Sequence, residues 1–214
     1  LYDRPVNAFV AGFIGSPSMN LLEVPVVEGG VRLGGVVIPV PRAALDGAGS
    51  RVVLGVRPED LATIIYTSGT TGLAKGIVHA HRYLLAHNEF ELCHEVQDGE
   101  RFHGMGEWAW AAGIAPLLGP WRLGAVQCVY QREGGFDPHK QLDFLSRHQA
   151  SNVFTTPTAM RSMMAIGDAG TRYPQRFRRV CSAGEPLNPE AIKWFREQYG
   201  ITVLDYYGLT ESYP

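Results

Sequence analysis

Long apolar runs are missing from this chain: nowhere do its 214 residues approach the length needed to cross a bilayer, and no secretory-signal layout is visible. Blocks of like charge are missing as well. Nineteen lysines and arginines stand against 21 aspartates and glutamates, a formal charge of −2, and without a basic cluster nothing points to nucleic acid or an anionic membrane. Cysteine is scarce. Cys93, Cys128 and Cys181 are odd in number and far apart, which argues against a disulfide framework and for reduced thiols, so a cytoplasmic protein is expected. What remains is a composition ordinary for a globular protein, long enough for one or two compact domains.

One segment stands out. Tyr66 to Gly76 reads Tyr-Thr-Ser-Gly-Thr-Thr-Gly-Leu-Ala-Lys-Gly and follows the apolar run Leu61 to Tyr66. Gly69, Gly72 and Gly76 allow backbone N–H groups to converge on phosphate oxygens. Thr67, Ser68, Thr70 and Thr71 offer hydroxyl donors, and Lys75 adds a mobile cation. A Walker A loop is excluded, because Ala74 precedes Lys75 where glycine is needed and Gly76 follows it where serine or threonine is needed. A Gly/Thr-rich surface turn is the plain alternative, but ordinary turns do not need so many hydroxyls, glycines and a lysine together.

The string resembles the phosphate loop of the adenylate-forming (AMP-binding) superfamily, which includes acyl-CoA synthetases, luciferases and peptide-synthetase adenylation domains. Two later segments carry the same resemblance in the same order: Ser182-Ala183-Gly184-Glu185-Pro186-Leu187, similar to the adenine-side motif, and Tyr207-Gly208-Leu209-Thr210-Glu211-Ser212, similar to the next nucleotide motif. The resemblance implies ATP as substrate, with Thr67 to Gly72 and Lys75 on its phosphates and Gly184, Glu185 and Pro186 beside adenine. It further implies Tyr207 and Gly208 on the other adenine face, Thr210 on phosphate and Glu211 on Mg²⁺. Lys75, Thr210 and Glu211 are the implied catalytic residues. A carboxylate is the hard oxygen ligand that Mg²⁺ takes, and an aromatic ring covers a purine face. The implied parent reaction joins a carboxylic acid to AMP and then to coenzyme A. Gly135-Phe136-Asp137-Pro138 and Thr155-Thr156-Pro157-Thr158 resemble acetyl- and medium-chain acyl-CoA synthetases, which implies a small or medium acid. Trp108, in Gly106-Glu107-Trp108-Ala109-Trp110, sits where the family has a Gly-Trp element beside its acyl pocket, although the usual Asp-x-Gly-Trp is not matched. Trp108 is therefore a pocket wall, or Trp108 and Trp110 are both core.

The coarse pattern agrees with an α/β fold: a partial adenylate-forming domain with a parallel sheet and helices. Strands are expected at 61–66, 77–80, 125–130, 152–155, 179–182 and 202–205. Helices are expected at 82–94, 111–118, 138–149, 157–166 and 189–199, three of them opening with proline.

Before Asp60 the character changes. Leu1 to Asn20 resembles the segment entering the C-terminal regulatory region of sugar-importer ABC ATPases, and the following runs, 21–27, 31–40 and 51–56, fit the small OB-type (TOBE) β-barrel of that region. The expected organisation is thus a short helix and partial barrel over residues 1–60, then an acyl-CoA synthetase large-domain fragment over 61–214, joined at Glu59 to Ala62. Association with a membrane transporter is implied for the first piece alone. Because the chain starts at Leu1 and stops just after a motif, both pieces are expected to be truncated and the synthetase piece inactive. The alternatives are a transporter ATP-binding-subunit fragment or a non-functional chimera. Among residues that tempt a catalytic reading, His79 and His81 have the spacing of a metal pair but no third ligand, Cys181 reads as a small core residue, and Met160, Met163 and Met164 read as core or pocket lining.

Overall fold

The computed structural model describes residues 6–13, 18–57, 59–67 and 73–212. The chain divides into two compact units, Leu1–Ala62 with Ala80–Arg82, and Thr63–His79 with Tyr83–Pro214.

In the first unit a short helix, α1 (Ala8–Phe13), precedes β1 (Asn20–Val27), β2 (Gly30–Leu33), β3 (Val36–Pro39) and β4 (Arg51–Val56). The strands form an antiparallel sheet in the order β3-β2-β1-β4, with Val26 opposite Val31 and Leu22 opposite Leu54. Exposure alternates along β4, as expected for a strand covered on one face, and Ala11, Val24 and Val31 supply the buried apolar contacts. Where a partial small β-barrel was expected, the described residues form a four-stranded sheet with β3 and β4 at its edges, the run 31–40 being divided between β2 and β3.

β5 (Leu61–Thr67) and β6 (Lys75–Ala80), which contribute Thr63–Thr67 and Lys75–His79 to the second unit, pair in a sheet of their own. They had been expected within the run of parallel βαβ units. The intervening residues 68–74 are too few for the crossover that joins parallel neighbours, which takes a dozen or more. A 3₁₀ turn (His81–Ala86) and α2 (Glu89–Leu92) follow, then β7 (Arg101–Gly104), α3 (Ala111–Arg122), β8 (Val126–Gln127), α4 (Pro138–His148), β9 (Asn152–Thr155), α5 (Pro157–Met164), α6 (Ala169–Arg172), β10 (Arg179–Ser182), α7 (Pro189–Tyr199) and β11 (Leu204–Asp205). Five of these strands make an all-parallel sheet in the order β11-β10-β9-β7-β8. Every residue of β9 is buried, as a central strand covered on both faces must be.

Three helices start where proline and a capping side chain coincide. Asp137 accepts from the N–H groups of His139 and Lys140, Thr156 from that of Ala159, and Asn188 from that of Glu190. Leu142 and Leu145 of α4, Met160 and Met163 of α5, and Ala191, Trp194 and Phe195 of α7 pack with Val153, Val180 and Val203 into one core. Met164 packs against its edge. A second cluster joins Phe90, Phe102, Ala115, Ala125, Phe154 and Ala183.

The helix expected over 82–94 is broken into the 3₁₀ turn and the single turn of α2. His87 Nδ1 lies 2.8 Å from Glu89 Oε1, an i, i+2 contact that a continuous helix cannot make because such side chains face different sides. The helix expected over 111–118 instead continues to Arg122 through Pro116 and Pro120. Proline at 120 has no N–H to give the Pro116 carbonyl. Gln127 Nε2 supplies the missing donor, at 3.0 Å to Pro116 O and 2.8 Å to Leu117 O. The strand expected over 125–130 is only Val126–Gln127, at the sheet edge, and β7 was not anticipated at all. Its four residues, Arg-Phe-His-Gly, carry no alternating apolar signal, yet they hold an interior position of the sheet.

Candidate active site

In an open parallel sheet a ligand lies beyond the carboxyl ends of the strands. The second unit has a cavity of about 620 Å³ there, bounded by Phe154 of β9, Ala183 and Gly184 just past β10, and Tyr206 just past β11. Its lining includes Thr67, Lys75, Gly208, Thr210 and Glu211. The rest of the lining includes Glu89 and Phe90 of α2, Trp110, and Ala111, Ala112, Ala115 and Pro116 of α3. Hydroxyls, an ammonium and two carboxylates, Glu89 and Glu211, thus line one cavity together with the apolar side chains of Phe90, Trp110 and Phe154, a composition suited to a polyanion joined to an apolar group.

Thr67, Lys75, Gly184, Gly208, Thr210 and Glu211, drawn from three separated motifs, meet in this one cavity. Other residues singled out in the sequence stand elsewhere. Ser68, Gly69, Thr70, Thr71 and Gly72 lie outside the described residues. Glu185 does not line the cavity, because its carboxylate is held on the surface by Thr158 at 2.7 Å and by Arg161 at 2.9 Å, and both bonds lower its pKa. Pro186 is likewise not part of the lining. Tyr207, expected on adenine, is 76% exposed, whereas its neighbour Tyr206 lines the cavity, since successive side chains of an extended segment point to opposite sides. Gly184 has φ +95, a conformation that a side chain would strain.

Trp108 lines an adjoining cavity of about 490 Å³ with His103, Glu107, Arg132 and Gln141, while Trp110 lines the larger one. Neither is core: they are 55% and 52% exposed. The sequence signal for Trp110 was present, and was absorbed by the expectation that tryptophans pack inside. Glu89, Phe90, Phe154 and Tyr206 carried no motif and were missed.

His79 is buried on β6. Burial above all, and then nearby His87, lower its pKa, while a hydrogen bond with the Thr210 backbone and the Glu211 charge pull it back up. The imidazole thereby ties β6 to the segment carrying Thr210 and Glu211. His81 is exposed, and among the described residues no three His, Cys, Asp or Glu side chains gather as a metal site. Cys181 is fully buried with its thiol pushed up to about 12 by that burial, the opposite of what a nucleophilic thiolate requires.

Phe90 forms part of the cavity wall because Gly119 of α3 gives its ring room: a Cβ at 119 would collide with the Phe90 ring. Gly119→Ala is expected to cost about 1–3 kcal/mol through overpacking. Urea denaturation measures the loss, and an unchanged midpoint would mean that the ring shifts freely.

A family model described as AMP-binding enzyme matches residues 28–214. The match runs through Glu59 to Ala62 instead of starting there. The chain is 33% identical over 163 residues to acetyl-coenzyme A synthetase 2 of Pseudomonas putida, a similarity covering 72% of this chain and 25% of that protein. It is 35% identical over 161 residues to the uncharacterized acyl-CoA ligase YtcI of Bacillus subtilis, covering 72% and 29%. Among solved structures, an acyl-CoA synthetase of Brucella canis superposes with a TM-score of 0.66 at 30% identity, covering 84% of this chain and 34% of that one. An anthranilate CoA ligase, solved with anthranoyl-AMP, gives a TM-score of 0.63 at 26% identity, covering 72% and 30%. The chain thus spans about a quarter of the length of the curated relatives it matches. None of these relatives is a transporter, and the ABC-importer origin expected for residues 1–60 has no support in them. The parallel sheet, the cavity at its carboxyl ends and the family match together assign the chain to the AMP-binding enzyme family.

Proposed function

We propose that these residues form the nucleotide- and acid-binding part of an AMP-forming acyl-CoA synthetase acting on a small or medium carboxylic acid. The observation that carries the reading is the convergence of Thr67, Lys75, Gly184, Gly208, Thr210 and Glu211 on one cavity that Phe90, Trp110 and Phe154 also line. In the first step an acid oxygen bonds to the α-phosphorus of ATP as the bond to pyrophosphate breaks. In the second, the coenzyme A sulfur bonds to the acyl carbon as AMP leaves. Lys75 and the hydroxyls of Thr67 and Thr210 would hold the phosphate oxygens and stabilise the charge that builds on the departing pyrophosphate. Glu211 is a hard oxygen donor, and a single carboxylate fits a Mg²⁺ whose other ligands are phosphates and water. That ion would supply further charge neutralisation. Phe90, Trp110 and Phe154 would exclude water from the acyl side.

Calorimetry with ATP and Mg²⁺ tests the reading. Lys75→Ala and Glu211→Gln should each weaken binding about tenfold or more, the worth of a charge-assisted hydrogen bond. Unchanged affinity in both variants would remove the nucleotide from this cavity. We propose further that the 214 residues alone do not turn over. Orienting the acid in line with the α-phosphorus can contribute roughly 7–11 kcal/mol, and a chain spanning a quarter of its relatives' length is not expected to supply it. Acyl-CoA formed from acetate, butyrate or octanoate above background, and lost in Lys75→Ala, would overturn this.

A domain boundary at Glu59 to Ala62 is also proposed. It is supported by the compact unit ending at Ala62 and by the change from an antiparallel to a parallel sheet. All four residues are exposed, so limited proteolysis should release a piece beginning near Leu61. Cleavage elsewhere with this stretch intact would count against the boundary.

A further inference from the structure

The cavity of about 490 Å³ lies at the carboxyl ends of β7 and β8, shares Pro116 alone with the larger cavity, and has no part in the reaction proposed above. Its amides are wired as acceptors. His103 Nδ1 lies 2.7 Å from the Cys128 carbonyl, which can only accept, so Nδ1 carries the proton and Nε2 is left to accept. The Gln141 amide, 3.0 Å away, must then turn its Nε2 to that nitrogen. This leaves Gln141 Oε1 without a partner among the described residues, on a residue that is 3% exposed and lines the cavity. Oε1 is not sealed from a water-sized group, as Thr155 Oγ1 and Trp194 Nε1 are. Gln127, also in the lining, repeats the arrangement: its Nε2 donates to Pro116 O at 3.0 Å and to Leu117 O at 2.8 Å, which uses both hydrogens and leaves Oε1 as a second acceptor.

The lining carries no net charge to draw an ion. Glu107 and Arg132 neutralise each other across 2.9 Å, and burial keeps His103 uncharged. Trp108 and Tyr130 add aromatic surface, Pro116 and Leu117 aliphatic surface. One wall is fixed in advance, because a Cβ at Gly106 would collide with the Ala112 carbonyl and one at Gly113 with the Glu107 carbonyl, so the segment 104–108 lies directly on α3. Amide oxygens that cannot turn away, in a neutral and partly aromatic cavity, suit an uncharged donor on a flat apolar body. We infer that this cavity is a binding site separate from the nucleotide cavity, and that its ligand is a flat aromatic ring carrying an uncharged amino or hydroxyl group. A carboxylate or phosphate would set its own oxygens against these, and a plain hydrocarbon would leave Gln141 Oε1 unmatched.

The probes are methyl 4-aminobenzoate, methyl 4-hydroxybenzoate and methyl 4-methylbenzoate. They have nearly one shape, no charge and no free carboxylate, so none can serve as the acid of the proposed reaction. NMR titration of the isotope-labelled 214-residue chain measures their affinities. The amino or the hydroxy ester should bind about 3- to 10-fold more tightly than the methyl ester, the worth of one hydrogen bond, and should move the side-chain amide signal of Gln141. Gln141→Met should abolish the preference and leave the affinity for the methyl ester unchanged. Trp108→Ala, at an exposed residue, should weaken binding of all three. Equal affinity for the three esters, a preference that survives Gln141→Met, no effect of Trp108→Ala, or failure of all three to bind overturns the inference. No arm contains nucleotide, so the result stands apart from whether ATP binds the larger cavity.

Discussion

Lowering the pH from 7 to 4 should destabilise the larger unit by about 3 kcal/mol at each of two histidines, His94 and His103. Both are buried, at 0% and 3% exposure, and burial is the main cause that lowers their pKa from 6.5 to about 4. Burial keeps the rings neutral against the hydrogen bonds at Nδ1, which raise the pKa but fix the tautomer. Asn152 Nδ2 donates to the His94 carbonyl at 2.9 Å and to Glu100 Oε2 at 3.0 Å, so its Oδ1 accepts from His94 Nδ1 at 2.6 Å. A second proton would go to Nε2, which has no acceptor among the described residues and lies in a cage of Phe90, Phe102, Phe154 and Tyr206. His103 Nδ1 donates to the Cys128 carbonyl at 2.7 Å, and its Nε2 accepts from Gln141 at 3.0 Å. The sign follows from the lowered folded-state values. Below pH 6.5 the unfolded chain binds protons that the folded chain refuses, so stability falls until about pH 4 and then levels off at these two sites. Urea denaturation at intervals between pH 7 and 4 measures the slope. A flat profile would mean that neither imidazole stays neutral inside.

The second large effect is expected from Arg178→Ala. Glu100 has a side chain only 5% exposed, and Arg178 meets it twice, Nε to Oε1 at 2.7 Å and Nη2 to Oε2 at 2.7 Å. Burial alone would raise the Glu100 pKa, but the bonds from Arg178, Asn152, the Gln97 N–H and Ser151 outweigh it and hold the carboxyl below its usual range. Removing the guanidinium leaves a buried charge uncompensated, at a cost of about 3–5 kcal/mol. Because Arg178 is 28% exposed, the lower end of that range applies. A depressed carboxylate stabilises above its unfolded pKa and ceases to as pH falls through the folded value, so Glu100→Gln should lessen the acid sensitivity that remains below pH 4. An Arg178→Ala midpoint within error of the parent would show the pair to be ornamental.

Helix starts, the central strands and the nucleotide chemistry were legible in the sequence because each depends on neighbours a few residues away. Strands 152–155 and 179–182 and helix 189–199 were placed residue for residue. Asp137-Pro138, Thr156-Pro157 and Asn188-Pro189 are complete local instructions, a capping oxygen followed by a residue whose φ is already helical. The hydroxyls, glycines and lysine of Tyr66 to Gly76 pointed to a phosphate loop, and the two later segments gained their reading from standing in the same order as in the resembling family. Where local pattern was weak or misleading, the reading failed. Arg101–Gly104 has no strand pattern and is held in the sheet by partners 50 and 25 positions away, Asn152 opposite Phe102 and Val126 opposite Arg101. The run 82–94 has helical spacing, but the contact of His87 with Glu89 breaks it.

Other features could come only from the folded chain. Which tyrosine of the pair 206–207 faces the cavity depends on the exit direction of β11, and which tryptophan of Trp108 and Trp110 borders the motif residues depends on where α3 begins. The meeting of Lys75, on the separate β5-β6 pair, with Gly184, Thr210 and Glu211, which follow β10 and β11, is set by tertiary packing. The same holds for the buried group His94, Asn152, Glu100 and Arg178, whose hydrogen bonds span up to 84 positions. Sequence by itself determined which chemistry each segment carries, because hydroxyls, glycines and charges act locally. Tertiary structure decided which of them share a cavity and which carboxyls and imidazoles lose their water, because burial is set by residues far apart along the chain.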